Sequence, residues 1–164
     1  MKRDFVPWPD KRLATKCSAV ETITDEVRAI WADMVDTMEA MPGYGLAAPQ
    51  IGVMQRLAVV DCSLERGRAI LLANPEVVVS SDELRSHEEA SPNMPGVSAL
   101  LKRPAHVSVA FTDHLGMRVR QDFEGLWATS VQHQIDHLNG LMFVDRLSRT
   151  KREMIVKKFR KMRP

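Results

Sequence analysis

Four short runs rich in β-branched residues, RLAVVDC, AILLANPEVVV, HVSVAFTD and MRVRQDF, occupy the middle of the chain. Branched side chains fit a pleated surface, and turn signals at Glu65-Arg66-Gly67 and Asp113-His114-Leu115-Gly116 divide the runs, so the pattern predicts strands. Helical spacing flanks them. From Thr24 onward, Val27, Ile30, Trp31, Met34, Val35 and Met38 recur every three or four residues and share one face; Thr24 is a natural N-cap and Pro42-Gly43 ends the run. Leu126, Val131, Ile135 and Leu138 predict a second helix over residues 126–139, stopped by Gly140 as a left-handed cap. A third helix closes the chain. Strands grouped between helices predict an α+β fold, and 164 residues without a repeat or a Pro/Gly/Ser-rich linker predict one domain over residues 1–164.

A composition of 45% hydrophobic and 27% charged residues is that of an ordinary soluble protein, and a formal net charge of +2 is too small for a chain built to coat DNA. The N-terminus MKRDFVPWPDKRL has charge and proline where a secretory signal needs an apolar core, and no apolar run reaches membrane-spanning length. A cytoplasmic protein with no membrane partner is expected. Cys17 and Cys62 match no disulfide framework and no paired-cysteine zinc spacing, and are read as reduced, buried thiols.

Chemistry enters at His133 and His137, which lie four apart on the second predicted helix and so project from one face, where they can share a metal ion. The spacing alone is equally that of two unrelated histidines. In the common helical zinc motif a glutamate follows the first histidine as general base; here that position is Gln134, and a neutral amide accepts no proton from a metal-bound water. The segment GYGLAAPQIG, residues 43–52, has two readings: a helix cap with a tight turn, or a loop whose backbone must approach another group closely, with Gln50 as a hydrogen-bond donor.

Together, GxGLAAPQ and the downstream QHxxDHLxG strongly resemble the first and third signatures of peptide deformylases. The likeness extends over nearly the whole chain, through Pro9-Asp10 and Leu13, residues 34–38, Arg103, Asp113, Gly116, Gly125-Leu126 and residues 141–147. It implies short antiparallel sheets around a central helix that carries HxxxH, a C-terminal helix, and removal of the formyl group from the initiator methionine of nascent chains. The family's metal, usually ferrous iron, is held by a cysteine and two histidines; it lowers the pKa of a bound water and polarises the formyl carbonyl while a glutamate handles the proton. By this resemblance His133 and His137 match the histidine ligands, and Gln50 matches the glutamine that donates to the formyl oxygen. Gly43, Tyr44 and Gly45 match the peptide groove, with Tyr44 bulkier than the usual aliphatic residue.

The second signature, EGCLS in the family, falls on Glu89-Ala90-Ser91-Pro92-Asn93, and there the chain departs from the pattern. Ser91 replaces the ligand cysteine, and a hydroxyl offers neither the charge nor the softness of a thiolate. Pro92 stands where a leucine gives its backbone N–H to the oxyanion, and proline has none to give. Ala90 adds a methyl group beside the ligand position, and Gln134 stands in place of the general base. A general base is worth about 10²–10⁴ in rate and one oxyanion donor about 10²–10³, so weak or no deformylase activity is implied. Glu89 and Arg103 match positions that form an ion pair steadying the ligand loop.

Two metal states are compatible with this set: weakly held Fe2+ or Zn2+, and no metal. His87, Glu88 and Glu89 offer a substitute ligand or a solvated charge cluster; Cys62 is read as a core thiol and His106 and His114 as uninvolved. RTKREMIVKKFRKMRP sets Met154, Ile155, Phe159 and Met162 at helical spacing among Lys157, Lys158, Arg160 and Lys161, either a solvated basic face or a ribosome-docking helix. Three functional readings follow: an impaired deformylase-like protein that binds nascent or formylated peptides, an active metallohydrolase with altered metal or substrate, and a ribosome-associated or peptide-binding module.

Overall fold

In the computed structural model, which describes residues 1–163, the first helix α1 spans Asp25–Ala40, and its start is fixed by the Thr24 side chain, which accepts the Val27 amide at 3.2 Å. The chain then forms β1 (Gly45–Ala47), a 3-10 turn (Ala48–Ile51), β2 (Leu57–Val60), β3 (Ile70–Ser80), β4 (Leu84–Glu89), β5 (Ala99–Pro104), β6 (His106–Thr112) and β7 (Arg118–Glu124). Helix α2 (Gly125–Leu138), a 3-10 turn (Phe143–Arg146) and α3 (Arg149–Met162) complete it. Five strands pair antiparallel in the order β1-β2-β3-β6-β7, and β4 and β5 form a separate antiparallel hairpin. This is the α+β architecture expected, with short antiparallel sheets, the HxxxH helix and a C-terminal helix.

Period-two alternation distributes the core. Ala58 and Val60 of β2 pack toward α2 with Leu72, Val109, Val131 and Leu138, whereas Leu57 and Val59 pack toward α1 with Trp31, Met34 and Met38. The five-stranded sheet thus has a helix on each face. Every residue of α2 from Ala128 to Leu138 is buried, so polar groups on this helix must find partners inside the protein. At the ladder's irregular point between Ala73 and Glu76, Asn74 takes a left-handed backbone (φ 50°) and its side chain bonds both the N–H and the carbonyl of Val20.

Several expectations change. The β4–β5 hairpin was not anticipated, because its alternation places charged residues and the exposed Leu84 and Leu100 outward, and the segment carries little strand-like composition. In α3 the buried residues are Val156 and Phe159, with Phe159 edge-on to Trp8 at 5.7 Å, while Met154 is 66% exposed. Helical phase explains this: the face bearing Val156 and Phe159 meets Leu13, Met94 and Phe143, and Met154 lies off it. Cys17 is buried, but Cys62 is only partly so. Among the described residues no helix is long and apolar enough to cross a membrane.

Candidate functional site

A cleft of about 430 Å³ opens between the 43–45 backbone, the end of β4 and the face of α2. Gln50, Ser91, Pro92, Ala90, His133 and Gln134 all line it, as do Gly43, Tyr44 and Gly45. The helical turn brings His133 and His137 together, with their Nε2 atoms 3.1 Å apart. His137 lies behind His133 and is 1% exposed.

The floor is organised by one carboxylate. Glu89 accepts two bonds from Arg103, at 2.6 and 2.9 Å, and faces His133 Nδ1 at 2.8 Å. Arg103 also reaches Asp136 at 2.9 Å, and Asp136 is held from outside by Arg146 at 3.0 and 2.6 Å. Two carboxylates and two guanidiniums balance in charge, as burial demands. Burial pushes the Glu89 carboxyl up, but the bonds from His133 and Arg103 outweigh it and hold the group at about 2.

Because Glu89 is ionised, the hydrogen on its contact with His133 belongs to Nδ1. The His133 and His137 Nε2 atoms then share one hydrogen: His137 donates it where His133 is neutral, and His133 donates it where His133 is charged. Burial, followed by the charges of His133 and Arg103, keeps His137 neutral by lowering its pKa well below the ordinary histidine value. His137 Nδ1 has no partner among the described residues. Turning a His137 lone pair toward a shared ion would place an N–H at that unpartnered position, and a buried unpaired donor costs about 1–3 kcal/mol.

The opposite wall is a closed amide network. Gln50 Oε1 accepts the Ala47 amide at 2.9 Å, and Gln50 Nε2 donates to Ser91 Oγ at 3.2 Å and to Asn93 Oδ1 at 2.8 Å. The Ser91 hydroxyl donates to Asn93 Oδ1 at 3.1 Å, and Asn93 Nδ2 donates to the carbonyls of Val6 and Gln50. Pro92 contributes no backbone N–H. Gln134 is 4% exposed, and its Oε1 has no partner among the described residues. A Cβ built on Gly45 would stand 2.6 Å from both Gln134 Nε2 and Ser130 Oγ, so glycine is needed there for close approach, the second of the two readings of residues 43–52.

Two groups were missed. Asn93 gave no signal beyond its place in the departed motif. Arg66, in the turn after β2, donates to the Gly43 carbonyl at 2.6 Å and the Asp61 carbonyl at 2.8 Å and pairs with Glu39, fixing the lip of the cleft. Other expectations are corrected. Glu89 is neither a solvated charge nor a substitute ligand, because both its oxygens are committed to Arg103 and His133, while His87 and Glu88 only line the cleft. Cys62 is only partly buried: it packs against the core beneath α2, its Sγ lies 3.9 Å from the Tyr44 carbonyl, and burial raises it to about 11.

The donor set does not fit a firmly held ion. Two ligand nitrogens on one tetrahedral ion stand about 3.4 Å apart at metal–nitrogen distances near 2.0–2.1 Å, so the imidazoles alone have nearly the right separation. A supporting bond at the far ring nitrogen is the rule for metal-bound histidine, however, and His133 has one whereas His137 does not. The third position is a hydroxyl already bonded to Gln50 and Asn93, and no group of three His, Cys, Asp or Glu among the described residues is placed to hold an ion.

Comparison with known proteins places this geometry. The family model described as polypeptide deformylase matches residues 2–153. A peptide deformylase of Afipia carboxidovorans is 43% identical over 161 residues, covering 97% of this chain and 94% of that protein. A protein named peptide deformylase-like from Bradyrhizobium diazoefficiens is also 43% identical, covering 98% and 94%. Among solved structures, a peptide deformylase from Legionella pneumophila superposes with a TM-score of 0.92 at 39% identity, covering 99% of this chain and 95% of that one. One from Ehrlichia chaffeensis in complex with actinonin gives 0.91 at 33%, covering 99% and 98%. Likeness of this extent supports a deformylase function, and peptide deformylases are hydrolases that use a divalent metal ion.

The Glu89 network carries a pH signature. A carboxylate held at about 2, against an ordinary 4.5, adds stability that is present above pH 4.5 and lost as pH falls through 2; the shift corresponds to about 3 kcal/mol. Glu89→Gln is expected to cost about 3–5 kcal/mol at pH 7 because it leaves buried Arg103 short of a partner. Urea denaturation should show that gap shrinking between pH 4.5 and 2; a gap independent of pH would contradict the assignment.

Proposed function

The chain belongs to the polypeptide deformylase family, and from that premise we propose that it retains the peptide cleft while its deformylase activity is weak or absent. The observation that carries this reading is the commitment of the Ser91 hydroxyl to Gln50 and Asn93, which leaves the imidazole pair without an anionic third donor. Weakly held Fe2+ or Zn2+, or no metal, follows from such a set. Pro92 withholds the oxyanion hydrogen, and the Gln134 carboxamide takes up no proton. What persists is recognition: Gly43, Tyr44, Gly45 and Ala90 border a cleft of about 430 Å³, and nascent or formylated peptides in the cytoplasm are its proposed ligands.

Elemental analysis of the purified protein is expected to find well under one ion per chain, with negligible hydrolysis of formyl-Met peptides. One tightly bound ion per chain with rapid turnover would instead establish an active metallohydrolase of altered metal. Ser91→Cys, Pro92→Leu and Gln134→Glu together are expected to restore metal binding and some deformylation. A triple variant that folds but binds no metal would contradict the assignment of these positions.

A second reading is favoured by α3. Lys157, Lys158, Arg160 and Lys161 are all exposed on it while Val156 and Phe159 anchor the helix, so the basic face is rigidly presented. We propose that this face docks on ribosomal RNA. Co-sedimentation with ribosomes should weaken steeply with salt and disappear when the four residues are neutralised; salt-independent association would count against it.

A further inference from the structure

Asn93 takes part in five hydrogen bonds behind the cleft wall, four of them through its side chain, and is 1% exposed. Its orientation is fixed by chemistry: Nδ2 faces the carbonyls of Val6, at 2.7 Å, and Gln50, at 2.9 Å, so Oδ1 must face the Gln50 amide. The Trp8 N–H also donates to the Asn93 carbonyl at 2.9 Å, pinning the backbone. Gln50 is oriented just as firmly, because Oε1 accepts from Ala47 and Nε2 must therefore point toward Ser91 and Asn93. A carboxamide nitrogen has two hydrogens, and both are spent.

We propose that Asn93 is a positioning residue that withholds the Gln50 amide from any ligand in the cleft, so that the defect does not lie in Ser91, Pro92 and Gln134 alone. The inference rests on the proposed reading of the cleft as an impaired deformylase site. With Pro92 lacking a hydrogen and Gln50 lacking a free one, neither group matched to oxyanion stabilisation has a donor to offer. Restoring Leu at 92 returns one donor. Of the two Gln50 hydrogens, the one aimed at position 91 meets a sulfur acceptor once Cys is restored there, and the other stays on Asn93 until that acceptor is removed; a serine at 93 is too short to bridge the same partners.

The test compares the triple variant Ser91→Cys/Pro92→Leu/Gln134→Glu with the same protein carrying Asn93→Ser, both reconstituted with Co2+ and matched by elemental analysis. Asn93→Ser deprives two buried carbonyls of their donor, so both proteins are assayed below the lower melting midpoint. With a formyl-Met tripeptide, kcat should rise on adding Asn93→Ser by up to about 10²–10³, with KM little changed because the recovered bond strengthens only as the oxyanion forms. Equal kcat values would overturn the proposal. A second measurement needs no metal: in the natural sequence, NMR hydrogen exchange of the Gln50 side-chain amide should accelerate about tenfold in Asn93→Ser, as expected for one lost bond. Unchanged exchange would overturn the proposal even where neither variant holds metal. A natural protein found with a tight ion and rapid turnover would overturn the reading of the cleft, and the exchange measurement would still decide the role of Asn93.

Discussion

The buried carboxylate of Glu89 joins the two parts of the molecule that make the cleft. It lies at the end of the β4–β5 hairpin, takes two hydrogen bonds from Arg103 of the neighbouring strand, and fixes the ring of His133 on α2. Arg103 and Asp136 extend the linkage along the helix to Arg146 at the surface. An array with balanced charges and nearly complete pairing tolerates burial, and removing any one member would leave another uncompensated. This constraint holds the motif loop over the helix whatever side chains the loop carries.

This framework does not depend on the residues that depart from the family pattern. Ser91 and Gln134 stand where the family pattern has an ionisable group and Pro92 where it has a backbone N–H, and none of the three bonds Arg103, Asp136 or Glu89. Polar groups left behind have found partners of their own: Gln50, Ser91 and Asn93 bond one another, and the two imidazoles bond directly. Gln134 Oε1, beside the cleft, and His137 Nδ1, on the ring edge away from His133, are the exceptions.

Much of this was legible in the sequence, for a specific reason. Amphipathic spacing in residues 24–40 and 125–138, and β-branched runs divided by glycine turns, are local signals, and the structure follows them closely. The placing of Ser91 and His133 at one cleft came from motif order and separation. Long-range partnerships left no such mark. Asn93 acts through Gln50 and Val6, 43 and 87 residues away, and Arg66 through the Gly43 carbonyl 23 residues away. Glu89 sits in a run of charge that resembles any solvated strand edge until its pairing with Arg103, across the hairpin, is known. Backbone closeness at Gly45 was foreseeable as a need, but the groups it approaches, Gln134 and Ser130, come from a helix more than eighty residues later.

The most direct test of a site satisfied from within is the protonation pattern of its two histidines, read by long-range proton–nitrogen NMR on the protein as purified. One hydrogen is expected on His133 Nδ1, bonded to Glu89, and one between the two Nε2 atoms, with no ion between the rings. Two Nδ1–H rings whose Nε2 resonances both carry the shift of a bound ion would contradict the closed imidazole pair and, with it, the proposed impairment.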